Sequence, residues 1–318
     1  MILQRQASLG AWQPAATAQT GPLSSARFKH FVAIDWSGAV GERQRGIAVA
    51  LCDARGDAPQ VMRPAHVWSR QEVLGWLLDG LPPNTLVGLD LGIALPHADC
   101  GAYFPGWNES PHGAKALWAL VDSICTSEPA LGANAFVDHP VVAEYFRRHG
   151  QREGARFHDL GAAHRRGRLR VTEQAQAERL GCRPTSNFNL VGAAQVGKAS
   201  LTGMRVLHRL DGRLPIWPFD PLSGSGSAIV EIYTAIPAIA GGRTAGTAKM
   251  RSIEALNTAL AVLGCPPVLG DGPLDDHRAD ALLGAAWLRT AAPRPDLWEP
   301  PSLTPALART EGWTFGVA

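Results

Sequence analysis

Four acidic residues stand where acids are costly, and they are the first pointer to chemistry. Asp35 closes the apolar run FVAID and Asp90 closes LVGLD, so each is the first charge after an apolar segment. Side chains alternate along a strand, which puts Asp35 on the face of Phe31 and Ala33 and Asp90 on the face of Leu86 and Gly88. Glu231 lies inside AIVEIY, where an ionised carboxylate is strongly unfavourable unless a cation or hydrogen-bond donors compensate it. The fourth acid, Asp280, follows the opening DDHRAD of an apolar helix. Asp276 is one turn before it at i,i+4 and His277 is at i,i+3, so both share its helix face. A divalent cation would turn repulsion among these carboxylates into attraction. Three strand acids and one helix acid are what a two-metal phosphodiesterase needs, with Mg²⁺ (or Mn²⁺) presenting a hydroxide and stabilising the leaving oxygen. The expected metal ligands are therefore Asp35, Asp90, Glu231, Asp276 and Asp280, with His277 assisting. Each also has a structural reading: Asp275 and Asp276 as helix caps, Asp35 as a turn former before Ser37 and Gly38, and Glu231 as the partner of a buried arginine.

The elements that must carry these residues follow from hydrophobic period and turn signals. Strands are expected over 31–36, 46–52, 65–68 and 85–90, with a helix at 70–78. Further helices are expected at 113–125, 140–149, 172–180 and 192–210, then a strand at 228–233, helices at 248–263 and 276–289, and a last strand at 311–317. The order strand, strand, strand, helix, strand, helix, strand, helix predicts an α/β chain with a ribonuclease H-like mixed sheet flanked by helices. The stretch from about 97 to 226 reads as a large, mostly helical elaboration. Residues 1–28, rich in Ala, Gln, Thr and Ser, read as a disordered tail, leaving 29–318 as one domain.

Composition narrows the setting. Of 318 residues, 46% are hydrophobic and 18% charged, the range of an ordinary globular chain. Five cysteines lie far apart with no CxxC pair, which argues against a zinc ribbon or a disulfide framework and for a reducing, cytoplasmic compartment. No apolar run reaches the roughly 18–20 residues that cross a bilayer. The formal charge of +2 hides an asymmetry: 147–170 holds eight arginines against Glu153 and Asp159. Arg147, Arg148, Arg165, Arg166, Arg168 and Arg170 are thus expected to meet a nucleic-acid backbone, RNA and DNA being indistinguishable at this level. The competing reading is a solvated basic loop.

The chain resembles the uncharacterised family called domain of unknown function 429, regarded as predicted nucleases of ribonuclease H-like fold related to the RuvC resolvases. The resemblance is carried by AIDWSGA at 33–39, GLDLGIALP at 88–96, SNFNLVGAAQVGKA at 186–199, VEIYTAIP at 230–237, DDHRADALLGAAW at 275–287 and EGWTFGV at 311–317. It implies a metal-ligand role for Asp280 and an assisting role for His277 or Asp276. RuvC-type nucleases take their second acid from the fourth strand, as Asp90 would be here, which leaves the role of Glu231 open.

Other chemistries fit less well. Gly192 to Lys198 (GAAQVGK) approaches the phosphate-binding P-loop, but Ala199 replaces the hydroxyl residue that would hold magnesium, so a packed helix start is expected instead of an NTPase site. No G-x-S-x-G or H-E-x-x-H motif is present. A non-catalytic module that binds nucleic acid or protein through the arginine segment is the alternative from another class.

Overall fold

The computed structural model describes residues 27–150, 152–158, 167–192 and 196–318. β1 (His30–Asp35), β2 (Ala48–Asp53) and the short β3 (Gln60–Val61) form an antiparallel meander. After α1 (Arg70–Asp79), β4 (Thr85–Asp90) returns parallel to β1. The chain continues through α2 (Ala114–Ile124), α3 (Asn134–Asp138), a two-stranded hairpin of β5 (Arg147–Arg148) and β6 (Arg152–Glu153), α4 (Val171–Leu180) and α5 (Val196–Arg209). β7 (Ala228–Ile232) then adds parallel to β4, followed by α6 (Ala235–Ala240), α7 (Ile253–Val262), α8 (Asp276–Ala291) and α9 (Pro295–Trp298). The result is a five-stranded mixed sheet in the order β3-β2-β1-β4-β7, flanked by helices.

The two sheet faces bury separate clusters. Val32, Ile34, Val87, Leu89 and Ile229 pack with α1, α2 and α5, whereas Phe31, Ala33, Leu86, Val230 and Ile232 pack with α6, α7, α8 and the C-terminal Trp313 and Phe315. The central strands are buried on both sides, which is why β1, β4 and β7 read as nearly continuous apolar runs. α8 lies close against the sheet: a Cβ on Gly284 would stand 2.8 Å from the Ala33 Cβ, so only glycine lets the helix lie this near β1.

Three expected elements differ. The expected strand at 65–68 is irregular, and β3 lies earlier at Gln60–Val61. The expected helix at 140–149 is a short 3-10 turn, Val142–Tyr145, followed by β5. There the Arg147 N–H donates to Phe188 O and the Leu190 N–H to Arg147 O, so a distant segment supplies the backbone partners. The expected strand at 311–317 contributes one parallel bridge, Thr314 to Glu231, and otherwise packs through side chains. Of the expected tail, 1–26 lies outside the described residues; Phe28 is buried and stacks on Trp298. Among the described residues no helix is long and apolar enough to cross a membrane.

Candidate functional site

β1 and β4 are in register with Asp35 opposite Asp90, so two strand-final carboxylates leave the same sheet face at adjacent strand ends. That face is covered by α8. Gly284 fixes the helix over Ala33, and Asp280, one turn nearer the N-terminus, is thereby carried toward the strand ends. Asp275 caps α8 by accepting from the Arg278 N–H at 3.0 Å, which leaves the next turn free to face the sheet.

The electrostatics show three carboxyl groups acting on one another. Burial pushes Asp35 up, opposed by the hydrogen bond to His277. Burial pushes Asp90 well above the carboxylate range, and the charges of Asp35 and Asp280 add to it. Asp280 is pushed up to about 7 by burial and then by Asp35. The His277 Nδ1 lies 3.0 Å from Asp35 Oδ2, and this hydrogen bond holds the imidazole above its ordinary value. Asp90 is oriented by the Thr234 N–H at 3.3 Å and hydroxyl at 3.4 Å.

Asp276 stands apart from this group. It sits between Lys249 and Arg251, each 3.3 Å away. Burial is the largest single influence and raises its pKa, but Lys249 and Arg251 together outweigh it and hold the group below the usual range. Its carboxylate is already compensated, so a cation gains less there than at Asp35, Asp90 or Asp280.

Glu231 is not part of the acidic group. Register aligns it with Leu89, while Ile232 aligns with Asp90, so Glu231 leaves the opposite face of the sheet. Its oxygens accept from Arg170 Nη2 at 2.6 Å and Nη1 at 2.8 Å, the Thr314 hydroxyl at 2.6 Å and the Ile93 N–H at 3.0 Å. This fully buried, bidentate pair satisfies the carboxylate without metal. The expectation of a metal-binding or catalytic Glu231 is therefore corrected.

Two members of the arginine segment are corrected with it. Arg170 is 1% exposed and is held by Glu231 and Glu173. Arg168 is 3% exposed and grips Asp99 at 2.6 and 2.8 Å together with the carbonyls of Pro96, Ala102 and Tyr103. Neither can reach a phosphate backbone without unfolding. Arg147 and Arg148 are ion-paired with Glu153 and Asp138, at 3.4 and 3.0 Å. Arg165 and Arg166 lie outside the described residues.

Sequence reasoning missed Thr234 and Lys249. Thr234 had a signal, since it follows β7 by two residues beside the acid-bearing strand end. Lys249 had none: its charge acts on Asp35, Asp276 and Asp280 only because the loop before α7 folds back over the start of α8. In the P-loop-like segment, 193–195 are outside the described residues, and Gly197 is pressed against the Asn187 carbonyl, where a Cβ would meet the oxygen at 2.3 Å.

Compared with known protein families, curated proteins and solved structures, the chain matches none. Among the described residues, no group of three or more His, Cys, Asp or Glu side chains is placed to hold a metal ion. What the arrangement offers is an all-oxygen, mutually repelling set of carboxyl groups at the end of a buried sheet. That is an environment in which binding a proton is favourable.

Proposed function

We propose that the chain is a Mg²⁺- or Mn²⁺-dependent phosphodiesterase acting on nucleic acid, built on a ribonuclease H-like core with 97–226 as its elaboration. The observation that carries this is the trio Asp35, Asp90 and Asp280, two from neighbouring parallel strands and one from the covering helix, whose charges raise the pKa values of Asp90 and Asp280. The sheet order, with its antiparallel meander and two added parallel strands, supports the fold reading, which also draws on the resemblance of its sequence motifs to domain of unknown function 429.

Asp35, Asp90 and Asp280 would hold the cation. Mg²⁺ keeps several waters and takes only one or two carboxylates, with substrate phosphate completing its shell. When bound, the metal supplies a water of lowered pKa and neutralises charge on the leaving oxygen. Thr234 fixes the rotamer of Asp90, and His277 fixes that of Asp35 while holding a proton at the edge of the site. Lys249 and Arg251, ion-paired with Asp276 but with side chains 63% and 79% exposed, would be the cations that meet substrate phosphates.

Incubating purified protein with labelled single- and double-stranded RNA and DNA in Mn²⁺, Mg²⁺ or EDTA tests the proposal. Cleavage that needs the metal and vanishes in Asp35→Asn is expected. A protein that binds polynucleotide but cleaves none under any metal would instead be a binding module.

A further inference from the structure

The cysteines are widely spaced in sequence, yet the fold brings two of them together. Cys52 lies in β2, paired with Phe31 of β1, and is 1% exposed. Cys265 follows α7 and is 6% exposed. Its place is set by the way that helix ends. Gly264 takes a left-handed φ of 65°, its N–H donates to Ala261 O at 3.0 Å, and the Cys265 N–H donates to Leu260 O at 2.9 Å. A Schellman turn of this kind brings the residue after the glycine back against the last turn of the helix, and Pro266 and Pro267 then prevent the helix from continuing. Both thiols are therefore carried on fixed backbone.

The two sulfurs meet at one carbonyl. Asp57 O lies 3.6 Å from Cys52 Sγ and 4.0 Å from Cys265 Sγ, and the two thiols are hydrogen-bonded to each other. Arg289, near the end of α8, donates to Cys52 Sγ at 3.3 Å and to Asp57 O at 3.2 Å, and has no carboxylate partner among the described residues. A guanidinium beside a sulfur favours the thiolate over the thiol. Burial acts the other way and is stronger, pushing the Cys52 thiol up to about 12. Cys52 thus keeps its proton at neutral pH, with a cation in place to meet the charge when that proton leaves.

We infer that Cys52 and Cys265 are an oxidation site, forming a reversible disulfide that fastens β2 to the end of α7. α7 and α8 share the buried layer over this face of the sheet, so the bond ties that layer to the sheet. The inference is independent of the phosphodiesterase reading. Burial selects a small, uncharged oxidant, and a hydroperoxide is the class that fits. With hydrogen peroxide, the sulfur of Cys265, the more exposed of the two, attacks one oxygen. The O–O bond breaks, the thiol proton leaves with the departing hydroxide as water, and a sulfenic acid remains. The Cys52 sulfur then attacks the Cys265 sulfur, the S–O bond breaks, and the leaving hydroxide takes the Cys52 proton to give a second water. The two thiols lose two electrons in all, and the peroxide gains them. A thiol reductant reverses the bond by exchange. A single bond formed only under oxidant suits a chain without a disulfide framework.

Treating the reduced full chain with hydrogen peroxide, then alkylating, denaturing and peptide-mapping it, tests this. The oxidised chain is expected to keep three of its five thiols, to lose the mass of two hydrogens, and to yield one cross-linked peptide joining Cys52 to Cys265, all reversed by dithiothreitol. Because the bond closes a long loop of chain, the melting midpoint should rise by about 5 °C or more over the reduced form. Cys265→Ser should abolish both the cross-link and the rise, whereas Cys100→Ser, which removes a more exposed thiol outside the pair, should leave both intact. Mapping of the wild type needs no variant, so it decides the matter even if Cys265→Ser does not fold. Five thiols surviving oxidation, a sulfinic acid at Cys265 with no cross-link, or either cysteine joined to any other, within or between chains, would overturn the inference, as would a cross-link that leaves the midpoint unchanged.

Discussion

Asp280 shows how one residue reports the state of the site. With a folded-state pKa of about 7 against an ordinary 3.8, the folded protein holds a proton there that the unfolded chain has released. The associated stability is present in full below about 3.8, declines as pH rises toward 7, and is absent above it. Metal-free protein should therefore be less stable at pH 8 than at pH 5 on account of this group. Asp280→Asn should raise the pH 8 melting midpoint, by on the order of 1–3 kcal/mol in stability, and should flatten the pH dependence between 4 and 7. Melting curves in EDTA across that range check it; a variant that melts below wild type at pH 8 would show that the carboxylate is structural. Glu231 and Arg168 make the opposite case. Each ionised group has a fixed partner, so Glu231→Ala or Arg168→Ala should cost about 3–5 kcal/mol by leaving a buried charge unpaired. Urea unfolding would detect that loss directly.

The elements explain which of these residues could be read in advance. The positions of Asp35 and Asp90 at strand ends were legible because each is the first charge after an apolar run, and that of Asp280 in the second turn of α8 because an apolar helix follows its acidic start. Glu231 was misread because its face depends on register with β4, and a shift of one residue reverses the answer. The arginines were misread for a related reason: the partners of Arg168 and Arg170 are Asp99 and Glu231, far away in sequence, so a local charge count could not see them. Likewise the 140–149 stretch lost its expected helix to backbone partners at Phe188 and Leu190. Gly284 is the element-scale test of how the site is assembled. Gly284→Val should push α8 away from Ala33, destabilise the protein by about 1–3 kcal/mol, and weaken metal binding by shifting Asp280. Unchanged metal affinity in the folded variant would mean that α8 does not set the geometry of the site.

At the scale of the molecule, the mixed sheet separates two kinds of polar chemistry. On one face, Arg170, Glu231, Glu173, Thr314 and Asn187 form a buried network that ties β7, α4, the 91–96 loop and the C-terminal segment together. On the other, Asp35, Asp90 and Asp280 lie together, with His277 bonded to Asp35 and Thr234 to Asp90. The segments LGIALP, SNFN and EGWT belong to the network and hold the strand ends in place. If polynucleotide is bound over the acidic end, Lys249→Ala with Arg251→Ala should reduce the salt dependence of binding by roughly two contacts, log K falling by about 0.7–0.9 less per decade of salt for each. A salt titration insensitive to the pair would move the binding face elsewhere.

The most direct test of the central claim is a calorimetric Mn²⁺ titration of wild type and Asp280→Asn at pH 8. Wild type should bind Mn²⁺ with release of protons, as carboxyl groups with raised pKa values give way to the metal, and Asp280→Asn should bind at least about tenfold more weakly while remaining folded. Wild type that binds no Mn²⁺, or a folded variant that binds it equally well, would contradict the account.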